Sequence, residues 1–193
     1  MGDLLVGWKM KKYFLLLAFL FSCAGPSMLL KNPDTNLPIY QCRLPIKVYL
    51  DRSVPNYDYY TIENELEYWN QELNTKIFVF KGYQGYSSSD YSLIIHAFFK
   101  SNEPPQRRGR TWFFLSDSGC IISSDIEYQA DRINRNYRVL DWVFRHEMMH
   151  VLGGNHLYIE NDLMAPLLPF WPTFVPRANL KQIKAIKNLY NLE

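Results

Sequence analysis

The chain has 193 residues, of which 48% are hydrophobic and 21% charged. That length supports one well-packed core and is short for two, and the composition excludes a disordered chain or a coiled coil. The formal net charge of +2 gives no electrostatic case for nucleic acid or an anionic membrane surface as a partner.

Lys9, Lys11 and Lys12 precede an unbroken apolar run over 13–21, and the small residues Ser22, Cys23, Ala24 and Gly25 follow. A basic flank, a short apolar stretch and a small-residue site form the order of an export signal, and nine apolar residues are too few to cross a bilayer. The string "LFSC" at 20–23 resembles the lipobox of bacterial lipoproteins, in which the cysteine becomes the lipidated first residue. The resemblance implies a signal over 1–22 and membrane contact only through a lipid on Cys23. It also implies residence in the bacterial cell envelope, lipid-anchored or secreted. Loss of 1–22 removes three lysines and one aspartate, which leaves the remainder without net charge.

Residues 23–43 read as a tether, polar and proline-broken over 31–38, and the folded domain is expected over 44–193. Cys42 and Cys120 remain once Cys23 is assigned to lipid. In an exported protein they read as one disulfide, with two free buried thiols as the alternative.

The first element expected is a strand at "IKVYL", where Ile46, Val48 and Leu50 alternate with Lys47 and Tyr49. A helix follows, with Ile62, Leu66, Trp69 and Leu73 on the buried face and Glu63, Glu67 and Asn70 outward. "KIFVF" at 76–80 and "YSLIIHAFF" at 91–99 are strand-like, with "GYQGYSSSD" between them as a loop. Arg107, Arg108 and Arg110, beside Pro104, Pro105 and Gly109, read as a solvated loop. "TWFFL" and "CIISSDIEY" are two further strands joined by a turn at "SDSG". His96, inside the apolar run at 91–99, reads as a hydrogen-bonded structural histidine.

A second helix should begin near Asp141, a candidate N-cap, and carry "WVFRHEMMHVL". At 100° per residue Phe144, Met148, Val151 and Leu152 share the core side, while His146 and His150 lie 40° apart on another, with Glu147 beside them. Gly153 and Gly154 stop this helix. A closing helix fits "NLKQIKAIKNLY", with Leu180, Ile183, Ile186 or Lys187, and Tyr190 inward and Lys181 and Lys184 outward. Before it runs a proline-rich loop over 165–178.

Three of the chain's four histidines fall inside "HEMMHVLGGNH" at 146–156. Two histidines at i and i+4 on a helix offer two converging nitrogens, and a glycine-permitted reversal can return a third. A catalytic zinc takes three such ligands and leaves the fourth position to water. His146, His150 and His156 are therefore the candidate ligands of Zn²⁺, and Glu147 is the candidate general base for the attacking water. A chance match to this string is expected on the order of once in 10⁵ chains of this length.

The string resembles the long zinc-binding signature of the metzincin metallopeptidases. "DLMAP" is a second match, placing Met164 eight residues after His156, as in the methionine turn of the matrixin branch. The resemblance spans about 44–192, with 146–166 of motif grade. It implies an α+β zincin with a twisted, mostly parallel five-stranded sheet, an antiparallel edge strand, an active-site helix and a C-terminal helix. It implies a monomeric endopeptidase that binds a peptide or protein substrate in extended form along "CIISSDIEY". The loop over 167–177 would then wall a pocket for an apolar side chain. Leu157 departs from the residue that marks the better-known branches, and "QCRLP" around Cys42 is not the matrixin latency string, so the subfamily stays open and no latency prodomain is expected. The alternative is an envelope lipoprotein whose zinc-binding domain serves as a binding module with little or no turnover.

Overall fold

The computed structural model describes residues 27–83, 93–98, 108–130, 137–157, 162–165 and 174–192. Strand β1 (Ile46–Leu50) buries Ile46, Val48 and Leu50 completely and leaves Lys47 and Tyr49 part-exposed, as strand alternation requires. Helix α1 (Tyr59–Glu72) follows, then strands β2 (Phe78–Tyr83), β3 (Leu93–Phe98), β4 (Gly109–Leu115) and β5 (Ile121–Gln129). Helices α2 (Tyr137–Val151) and α3 (Leu180–Tyr190) complete the described elements.

The architecture is α+β. One five-stranded sheet has the order β2-β1-β3-β5-β4. Its pairs are parallel except β4 with β5, so the antiparallel strand sits at an edge. Helix α1 packs on β2, α2 packs on β4 and β5, and the two helices pack on each other. The core between them contains Trp69, Phe78, Tyr128, Trp142 and Phe144, all essentially inaccessible. Among the described residues no helix is long and apolar enough to cross a membrane.

Several expectations need correction. "CIISSDIEY" falls in β5, whose two sides are taken by β3 and β4, so it offers no edge to a peptide; the edge strands are β2 and β4, and β4 is the one beside β5. Arg110 lies within β4, pairs with Glu127 and stacks over Trp112, while Arg108 is buried. Neither belongs to a solvated loop; Arg107 lies outside the described residues. Asp141 is not the cap of α2, which starts four residues earlier because Val139 and Leu140 are buried in its first turn. In α3, Asn179 is the cap, its side chain accepting from the Lys181 amide at 2.9 Å. Leu180 is 81% exposed, whereas Gln182 is fully buried beside Ile183 and Ile186, so the inward stripe is rotated from the expected one. Asn70 does not face out: its amide bridges both backbone groups of Phe78, tying α1 to β2.

Over the described residues 27–43, the expected tether is bonded onto the domain. Leu30 N–H donates to Gly153 O at 2.7 Å, Asn155 N–H to Met28 O at 3.1 Å, and Ile121 N–H to Tyr40 O at 2.7 Å. Ile39 is completely buried, and Cys42 is disulfide-bonded to Cys120, with 5.2 Å between their Cα atoms. Backbone groups, rather than side chains, make most of these bonds, so composition does not report them.

Candidate metal centre

Helix α2 ends in a Schellman arrangement. Gly154 N–H donates to Met149 O and Gly153 N–H to His150 O, both at 2.8 Å. Gly153 has φ of +89°, and a Cβ there would lie 2.3 Å from Ile39 O, so the position demands glycine twice over. The chain then reverses and brings His156 back toward the helix. Asn155 braces this return: its side-chain oxygen accepts from His156 N–H at 2.9 Å, and its carbonyl accepts from Gln182 Nε2 of α3 at 2.9 Å.

The three Nε2 atoms form a nearly equilateral triangle. His146 to His150 and His146 to His156 are each 3.2 Å, and His150 to His156 is 3.1 Å. Metal–nitrogen bonds of about 2.05 Å in a tetrahedral arrangement separate ligand nitrogens by about 3.3 Å, so the triangle has the dimensions of three ligands around one ion.

A hydrogen bond cannot account for the approach of His146 to His150. His146 Nδ1 is 2.8 Å from Leu163 O and His150 Nδ1 is 2.9 Å from Gly154 O. A carbonyl only accepts, so each Nδ1 carries the proton and donates it, and the Nε2 of each neutral ring is a bare lone pair. Two such lone pairs 3.2 Å apart repel, and an ion between them removes the repulsion. Burial holds His146 down to a pKa of about 4, and the nearness of His156, whose protonation would compete with its own, lowers it further. Burial, then His146 and His156, lowers His150 well below the ordinary range, and burial lowers His156. Neutral rings with outward Nδ1–H bonds are the state that ligates a metal. Among the described residues, these three histidines form the cluster able to hold a metal ion.

Glu147 is buried on the same helix. Its Oε2 accepts from Thr111 Oγ1 of β4 at 2.6 Å, and its side chain lies against Gly109, where a Cβ would be 2.7 Å from Oε1. Met164 is fully buried in a turn whose Leu163 carbonyl accepts from both His146 Nδ1 and Trp142 Nε1, the latter at 3.2 Å. Met164 itself accepts from Leu157 N–H at 2.9 Å through its carbonyl. His96 lies away from the cluster on β3, its Nδ1 4.0 Å from Asp51. Residues 167–173 of the expected pocket wall lie outside the described residues.

The sequence reading missed Leu163 O, Gly154 O, Gln182 and Thr111. The first two are backbone atoms, which residue identity does not report, and the others carry no spacing signal. Fold and site together define an α+β protein with a three-histidine centre, two rings buried and one half-buried, that could hold a metal ion. A scan against protein-family models gives no match, and a search of curated proteins gives no significant one.

Proposed function

We propose that the protein is a zinc-dependent endopeptidase of metzincin-like construction. The observation that carries this reading is the Nε2 triangle, in which the Nδ1 atoms of His146 and His150 are protonated and turned outward. Three neutral imidazoles in that geometry suit a tetrahedral zinc with one position left for chemistry. The resemblance of 146–166 to the metzincin signature and methionine turn supports the same assignment.

His146, His150 and His156 would hold the ion, and a zinc so held supplies Lewis-acid chemistry, polarising a carbonyl and acidifying water. Glu147, one residue along the helix from His146, accepts the proton of the attacking water and delivers it to the leaving amine. The substrate lies extended along β4, because β4 is the sheet edge that packs beside α2 and touches Glu147. A lipid on Cys23 holds the domain at the bacterial envelope.

Glu147→Ala should retain zinc and the fold and lose hydrolysis of a peptide library, read by mass analysis of the products. Removing metal with a chelator should abolish cleavage and Zn²⁺ should restore it. Wild-type turnover in Glu147→Ala, or freshly purified protein without bound zinc, would overturn the assignment.

A further inference from the structure

The contact between β4 and Glu147 asks for more than a strand edge. Thr111 sits near the middle of β4, opposite Ile126 in the ladder. Its hydroxyl lies 2.6 Å from Glu147 Oε2 and 3.2 Å from Glu147 O. One hydroxyl has one proton, and the short, charge-assisted contact to the carboxylate takes it. Two residues earlier, on the same side of the strand, Gly109 leaves the space over which the glutamate chain lies. A Cβ there would come within 3.0 Å of Glu147 Cγ as well as 2.7 Å of Oε1. The carboxylate is thus shaped by absence at Gly109 and tied by a bond at Thr111.

Resting on the endopeptidase reading, we propose that Thr111 is the positioning residue of this site: it fixes the Glu147 carboxylate in its working orientation before substrate arrives. Three side-chain torsions separate a glutamate carboxylate from its backbone, and leaving them loose costs rotamer entropy at each turnover. A β-branched donor on a paired strand is a stiff anchor for them. The hydroxyl is therefore a preorganising device, and its contribution falls on the chemical step rather than on substrate or metal binding.

The test compares Thr111→Val, which removes the hydroxyl and keeps the shape, with Thr111→Ser, which keeps the hydroxyl. In the zinc-loaded full chain, kcat of Thr111→Val should fall roughly 10- to 100-fold. KM and zinc affinity, the latter by competition with a chromogenic chelator, should stay within about threefold of wild type, and Thr111→Ser should recover most of kcat. A crystal structure of metal-free Thr111→Val should show the Glu147 carboxylate displaced. Unchanged kcat in Thr111→Val, equal loss in Val and Ser, or an undisplaced carboxylate would overturn the proposal. Should wild type bind zinc and cleave no peptide, the endopeptidase reading fails, and carboxylate displacement alone decides the role of Thr111. If Thr111→Val does not fold, Thr111→Ala replaces it with the same expected outcomes.

Discussion

Glu65 of α1 and Arg145 of α2 meet in a bidentate ion pair, Nε to Oε2 and Nη2 to Oε1, each at 2.7 Å. The pair lies in the helix interface, with side-chain exposures of only 5% and 13%. The Arg145 guanidinium also lies 3.8 Å from the centroid of the Tyr68 ring and donates to Pro176 O at 3.3 Å. Tyr68 in turn accepts from Ala178 N–H at 3.1 Å, just before α3. One guanidinium, next in sequence to His146, therefore joins α1, α2 and the approach to α3.

Removing one member of a buried pair leaves the other desolvated without its counter-charge. Glu65→Ala should therefore cost about 3–5 kcal/mol, read as a lowered urea midpoint with unchanged slope. A cost below about 1 kcal/mol would mean that water reaches the guanidinium and that the clamp is a surface pair.

Gly153 joins the end of α2 to the segment over 28–39. Gly153→Ala places a side chain at φ +89° and 2.3 Å from Ile39 O, and left-handed strain alone costs about 1–3 kcal/mol. The turn also holds the Gly154 carbonyl against His150 Nδ1 and returns His156. The variant should therefore lose stability and bind zinc at least roughly tenfold more weakly. Wild-type zinc affinity in a destabilised Gly153→Ala would separate the segment from the centre.

The three histidines should cost the metal-free protein stability as pH falls. The folded-state values of His146, His150 and His156 lie below the ordinary 6.5, His146 near 4. The unfolded chain thus takes up protons first, so their contribution is fully present above about pH 6.5 and drains away toward pH 4. Burial raises Asp58, Glu65, Asp125 and Asp141, so their protonation favours the folded state and opposes this trend. The histidine part is isolated by comparing urea midpoints at pH 7.5 and 5 with those of His146→Gln, His150→Gln and His156→Gln combined. Equal pH dependence in the two proteins would show that the rings are not held neutral.

Local periodicity made much of this molecule readable. Ile46, Val48 and Leu50, the α1 stripe of Ile62, Leu66, Trp69 and Leu73, and the core side of α2 all rest on repeats of two or 3.6 residues within one element. The α2 boundary and the α3 stripe were misplaced because capping and amphipathic signals yield to whichever neighbours cover each face.

The three histidines converge because helix pitch and a glycine turn bring them together within eleven residues, and those causes are written into the chain at 146–156. Distant partners supplied the rest. Leu163 O and Gly154 O set the tautomers, Thr111 and Gly109 set the glutamate, and Glu65 anchors the guanidinium. Sheet order decided that β4, and not β5, is the edge strand on the side of the centre. Sequence alone determined the candidate donor set, since its spacing is local; tertiary structure decided what orients it, since backbone carbonyls and cross-sheet contacts leave no mark in residue identity.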